Sequence, residues 1–127
     1  MDGVNKATPL VARILMSAIF IMAGLPKLTA GAAMAPYFAQ LGIPMPTVSV
    51  YVVGLFEVVA GLAVLVGFKA RIAAILLALF CVASGFLAHF EPANQAQMTS
   101  LLKNLAMAGG FLLLWLHGPG AYAIDKK

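Results

Sequence analysis

Residues 47–67 read TVSVYVVGLFEVVAGLAVLVG, a run whose one charged side chain, Glu57, stands at its centre. At a helical rise of about 1.5 Å per residue the run is roughly 30 Å long, the thickness of a bilayer's hydrocarbon core. A carboxylate at the midpoint costs roughly 2.5–3.5 kcal/mol on insertion scales. Something must offset that cost, so Glu57 is expected to face a bundle interior and not lipid. It is the first candidate for a functional site.

The rest of the chain agrees with a membrane reading. Hydrophobic residues make up 63% of 127 and charged ones 9%, against about 25% charged in an ordinary soluble domain. Mean hydropathy is +1.01. Four spans with short loops use up this length, so a single domain over residues 1–127 is expected. The net charge of +4 comes with no basic cluster, which argues against nucleic-acid binding. Cys81 is the only cysteine, so neither an internal disulfide nor a C-x-x-C dithiol is available.

Four apolar segments emerge, at about residues 9–28, 47–67, 71–90 and 99–117. Pro9 stands near the start of the first and Pro26 near its end; Ile43-Pro44-Met45-Pro46 precedes the second. Glu91-Pro92 stops the third, and Gly118-Pro119-Gly120 closes the fourth. Lys6 and Arg13 ahead of the run Ile14 to Leu25, with small residues at 30–33, also fit a signal peptide, but three further apolar segments favour a retained span. Short connections make neighbours antiparallel, so the expected fold is all-α, an up-down four-helix membrane bundle.

Lys6, Arg13, Lys69, Arg71, Lys126 and Lys127 fall on the side of both termini and the middle turn, and only Lys27 and Lys103 on the other. Under the positive-inside rule both termini are expected in the cytoplasm of a bacterial inner membrane. Between the first two spans Met34, Tyr37, Phe38 and Leu41 recur at i, i+3, i+4, i+7. This stripe fits a short interfacial helix or a loop packed over the bundle mouth.

Helical spacing then sorts the polar residues. Gly54, Glu57 and Gly61 share a face, and small residues there let another backbone approach. Arg13, Ser17 and Gly24 form a stripe in the first span that Lys27 continues. Lys103 and Asn104 sit side by side in the fourth. Counted from the expected ends of the spans, Arg13 and Lys103 each lie roughly 9 Å from Glu57 along the membrane normal. Arg13 is the preferred partner for Glu57, since guanidinium pairs bidentately with carboxylate; snorkelling to the interfaces is the competing reading for Arg13 and Lys103. Glu57 itself is either part of a site or a protonated link between helices. His89 and His117 end their spans on opposite sides, about 30 Å apart, so they are not expected to bind one haem, and no metal site is expected. His89 is either an outer-surface proton relay or a solvated side chain.

Gly24-Leu25-Pro26-Lys27-Leu28 resembles the G-x-x-K-L signature of DoxX-like membrane proteins. The likeness continues through Leu41-Gly42-Ile43-Pro44, Glu57 with Gly61, Gly67 with Arg71, Lys103-Asn104-Leu105 and the tail Gly118 to Asp125. It implies a four-helix inner-membrane protein. The family takes its name from a subunit of a thiosulfate:quinone oxidoreductase, and some members work beside soluble redox enzymes in stress responses. Carried over, it marks Gly24, Lys27, Gly61 and His89 as family-motif positions, beside the polar candidates Glu57, Arg13, Lys103 and Asn104.

The first functional reading is a quinone-linked membrane subunit with a polar site around Glu57. With no haem, flavin motif, metal site or dithiol, no intrinsic cofactor is expected. The ligand would be a quinone or another small apolar molecule, and electrons would need a partner such as a soluble redox enzyme. The alternatives are a small proton-coupled transporter that uses Glu57, or a non-catalytic membrane anchor or assembly factor. A homo-oligomer is compatible with each. No catalytic residue is assigned.

Overall fold

The computed structural model describes residues 2–125; Lys126 and Lys127, two of the six basic residues assigned to the cytoplasmic side, lie outside them. Among the described residues the chain is all helical: α1 Asp2–Thr29, α2 Gly31–Gln40, α3 Pro46–Val66, α4 Ala70–His89 and α5 Gln95–His117. Four of these, α1, α3, α4 and α5, are long and apolar enough to cross a membrane.

Two starts differ from expectation. α1 begins seven residues before Pro9 and carries both Pro9 and Pro26 within it. Residues 3–8 ahead of Pro9 are exposed, so water can satisfy the carbonyl that the proline leaves unpaired. α5 begins at Gln95, because the Asn94 side chain accepts a 3.1 Å hydrogen bond from the Gln97 N–H. A capped N-terminus lets residues 95–98, with Gln95 and Gln97 among them, join the helix ahead of the apolar run.

The stripe between the first two spans is helical. α2 buries Phe38 and packs on α3, so it combines the two expected arrangements: a short helix laid across one end of the bundle. α3 starts with Pro46 at its first turn and ends at Gly67, whose φ is +74°. The Phe68 N–H bonds the Ala63 carbonyl at 2.9 Å and the Gly67 N–H bonds Val64 at 3.2 Å. This paired closure uses the left-handed conformation that glycine adopts without Cβ strain.

α1 packs chiefly on α3, and α4 on α5, with α3 and α4 joined by the tight turn at residues 67–69. Phe20, Phe56, Phe80 and Phe111 supply one ring from each span. Phe20 lies 5.5 Å from Phe111 and 6.3 Å from Phe80, and Phe56 lies 5.3 Å from Phe80, between ring centres. Edge-on and tilted contacts of this kind add to plain apolar packing, and here they tie all four spans together at one level. Because lipid is as apolar as the side chains, this packing is what favours the bundle over separated helices.

Candidate functional site

α1 and α3 approach closely because glycines face each other. A Cβ on Gly24 would fall 2.8 Å from the Gly54 carbonyl oxygen, and one on Gly54 would fall 2.6 Å from the Lys27 Cβ. Gly61 stands in the same way against Phe20 and Ile21. These contacts fix an antiparallel register in which Lys27, one turn beyond Gly24, reaches the level of Glu57. Lys27 Nζ lies 2.7 Å from Glu57 Oε1, with the two side chains 12% and 6% exposed. The contact is a charge pair lying off the direction of an ideal hydrogen bond. A second donation runs from Nζ to the Ala23 carbonyl at 3.2 Å.

Glu57 is therefore shielded from lipid and paired, as its depth requires, but its partner is Lys27 and not Arg13. Counting Arg13's depth from Pro9 placed it too near the bilayer centre. α1 runs on past Pro9, and the glycine register sets Arg13 about 20 Å along the helix from Lys27. Arg13 is 1% exposed, and its two Nη groups bond main chain. Nη1 bonds the Val64 and Leu65 carbonyls at 3.2 and 2.7 Å, and Nη2 bonds the Tyr122 carbonyl. A cation at the carbonyl end of α3 also opposes that helix's dipole favourably. Lys103 is exposed on α5 and takes part in no ion pair among the described residues, in keeping with snorkelling.

The tail after α5 completes the end of the bundle where Arg13 lies. Ile124 and Asp125 donate their N–H groups to the Val66 and Gly67 carbonyls at 3.0 and 2.8 Å. The Asp125 carboxylate accepts from the Lys69 and Ala70 N–H groups at 2.6 and 2.8 Å, capping the start of α4. One segment thus closes the end of α3 and the beginning of α4, the two helix termini that would otherwise hold unpaired groups.

Toward the other end, past the phenylalanine cluster, lies a cavity of about 310 Å³. This is at the lower bound of ligand pockets, roughly 300–1,000 Å³. Its walls are mostly apolar. Lys27 and Glu57 line it from α1 and α3; Cys81, Ser84 and His89 from α4; and Asn104 from α5. Met34, Tyr37 and Phe38 of α2, with Leu41, cover its mouth. Asn104 Nδ2 donates to the Cys81 carbonyl at 3.1 Å and to Ser84 Oγ at 3.3 Å. His89 Nδ1 lies 2.7 Å from Gln97 Oε1. Of the residues singled out in the sequence, Glu57, Lys27, Asn104 and His89 meet at this cavity, Gly24 and Gly61 form the helix contact that positions two of them, and Arg13 and Lys103 lie elsewhere. Ser84 stands on this wall with Cys81, three residues apart on one face of α4.

Four helices long enough to cross a membrane, packed around a charged pair beside an apolar cavity, define a polytopic membrane protein. The DoxX family model matches residues 8–90, and the chain belongs to the DoxX family. It is 42% identical over 126 residues to Inner membrane protein YqjF of Escherichia coli (strain K12), an alignment spanning 99% of this chain and 95% of that protein. To Inner membrane protein YphA of the same organism it is 33% identical over 123 residues, 93% of this chain and 88% of that one. No solved structure matches it. The chain is thus a multi-pass protein of the bacterial inner membrane.

Proposed function

We propose that this chain is a redox-associated membrane subunit that docks a quinone, or a ring compound of similar size, in the cavity beside Lys27 and Glu57. The observation that carries the reading is a buried ion pair lining an otherwise apolar cavity of about 310 Å³. A charged pair placed only for packing has no need of adjoining space, whereas a ligand site needs apolar walls with a few fixed polar groups. Lys27 supplies a donor for a ligand oxygen, and Glu57 holds the ammonium in place. Arg13 and Lys103, the other basic candidates, have no part in it. In this reading turnover depends on a partner such as a soluble redox enzyme, with this subunit as dock. The six-to-two bias of basic residues supports both termini in the cytoplasm, and with that orientation the cavity lies in the outer half of the bilayer, beside α2.

The test is purification in a mild detergent, organic extraction and mass spectrometry of what co-purifies, with titration by a short-chain benzoquinone. Enrichment of a quinone, and saturable binding weakened in Lys27→Met, are expected. A ligand-free extract together with no saturable binding would overturn the reading.

A further inference from the structure

We propose that Asn104 makes the cavity selective for a ligand that presents a hydroxyl hydrogen, so that a quinol is held more tightly than the matching quinone. The inference rests on the quinone-class reading above and adds the redox form that is bound. It follows from which polar groups of the walls are already committed.

The Cys81 carbonyl can only accept, so the Asn104 atom 3.1 Å from it must be the amide nitrogen. The second amide hydrogen goes to Ser84 Oγ at 3.3 Å. Gly85 makes room for this arrangement, since a Cβ there would fall 3.2 Å from the Asn104 Cβ. With both donors used and the flip state fixed, Asn104 has only Oδ1 left to offer, and Oδ1 accepts no bond from the described residues. Ser84 is not a free donor either, because its hydroxyl points back to the Cys81 carbonyl at 3.5 Å. Tyr37 at the rim is 43% exposed, and its hydroxyl both donates and accepts, so it does not discriminate.

The wall made by α1 and α3 adds donors from Lys27 beside the acceptor-only carboxylate of Glu57. Lys27 carries three N–H groups and no acceptor. One is directed at Ala23 O and the ammonium is held beside Glu57 as a charge pair, which leaves N–H for a ligand. A bound molecule therefore meets a donor at Lys27 and an acceptor at Asn104. A quinol satisfies both, with one oxygen accepting from Lys27 and the other hydroxyl donating to Asn104. A quinone has only acceptors, so its second carbonyl would face Oδ1 lone pair to lone pair in an apolar surrounding, where an unmade hydrogen bond is expensive.

The experiment uses the full chain in lipid nanodiscs, titrated anaerobically with a short-chain benzoquinol, its dimethyl ether and the corresponding quinone. The quinol is expected to bind about 3- to 10-fold more tightly than either of the others, the range one neutral hydrogen bond supports. In Asn104→Leu, checked for an unchanged melting profile, that gap should close. Equal affinities for all three ligands in the native protein, or a gap that survives in folded Asn104→Leu, overturn the proposal. Binding of quinone and quinol alike sinks only the selectivity, whereas binding of neither removes the site itself. The ligand series on the native chain decides the matter even if the variant does not fold.

Discussion

Replacing Lys27 with Met keeps the length of the side chain and removes its charge, which leaves Glu57 alone in the bundle. With the pair's side chains 12% and 6% exposed, solvent screens little of the interaction. Removing one member of such a buried pair costs roughly 3–5 kcal/mol, because the surviving charge has no compensation. Removing both charges, as in Lys27→Met with Glu57→Gln, should cost only about 1 kcal/mol, because no ion is then left stranded. The double variant should therefore be about 2–4 kcal/mol more stable than Lys27→Met alone, measured by equilibrium unfolding in mixed detergent micelles followed by circular dichroism. Arg13→Met combined with Glu57→Gln is the control. Arg13 bonds main-chain carbonyls far along α1, and distant sites add to within about 0.5 kcal/mol. Additivity of the Lys27 and Glu57 substitutions to that same tolerance would refute the pairing and, with it, the account of how α3 carries an acid through the membrane.

Gly24→Ala should destabilise the protein by about 1–3 kcal/mol, since the new methyl meets the Gly54 backbone oxygen at 2.8 Å and backbone cannot swing aside. Gly109→Ala, where nothing lies within 4 Å, should instead stabilise α5 by about 0.5–1 kcal/mol through helix propensity; the same unfolding assay reads both, and equal effects would discredit the close helix contact. A green fluorescent protein fused after the chain should fluoresce, and alkaline phosphatase at the same point should be inactive, if the C-terminus is cytoplasmic. The opposite pair of results would invert the topology.

How far the sequence led depended on whether a feature was written in side chains or in backbone. The spans were visible as apolar length, and the glycine and Glu57 face of α3 as simple spacing. The pairing of Glu57 was misassigned because depth was measured from Pro9, a residue that permits a helix start without requiring one. The true ruler was the contact of Gly24 with Gly54 and of Gly61 with Phe20 and Ile21, and two glycine patterns become a register only when their helices are known to touch. Arg13 was missed in its role for a different reason. Its partners are the carbonyls of Val64, Leu65 and Tyr122, and every residue carries a carbonyl, so no residue type announces them. Asn104 was identified as polar and inward, but the lock that fixes its amide depends on the Cys81 carbonyl, which no spacing rule reveals.

The tail that closes the turn between α3 and α4 has a consequence for biogenesis. Asp125 follows α5 in the chain, so the N–H groups of Lys69 and Ala70 have no carboxylate to receive them until every span has left the ribosome. The hairpin of α3 and α4 must therefore insert with its bend at residues 67–69 hydrated and unfinished, and it is sealed only by a segment translated after α5.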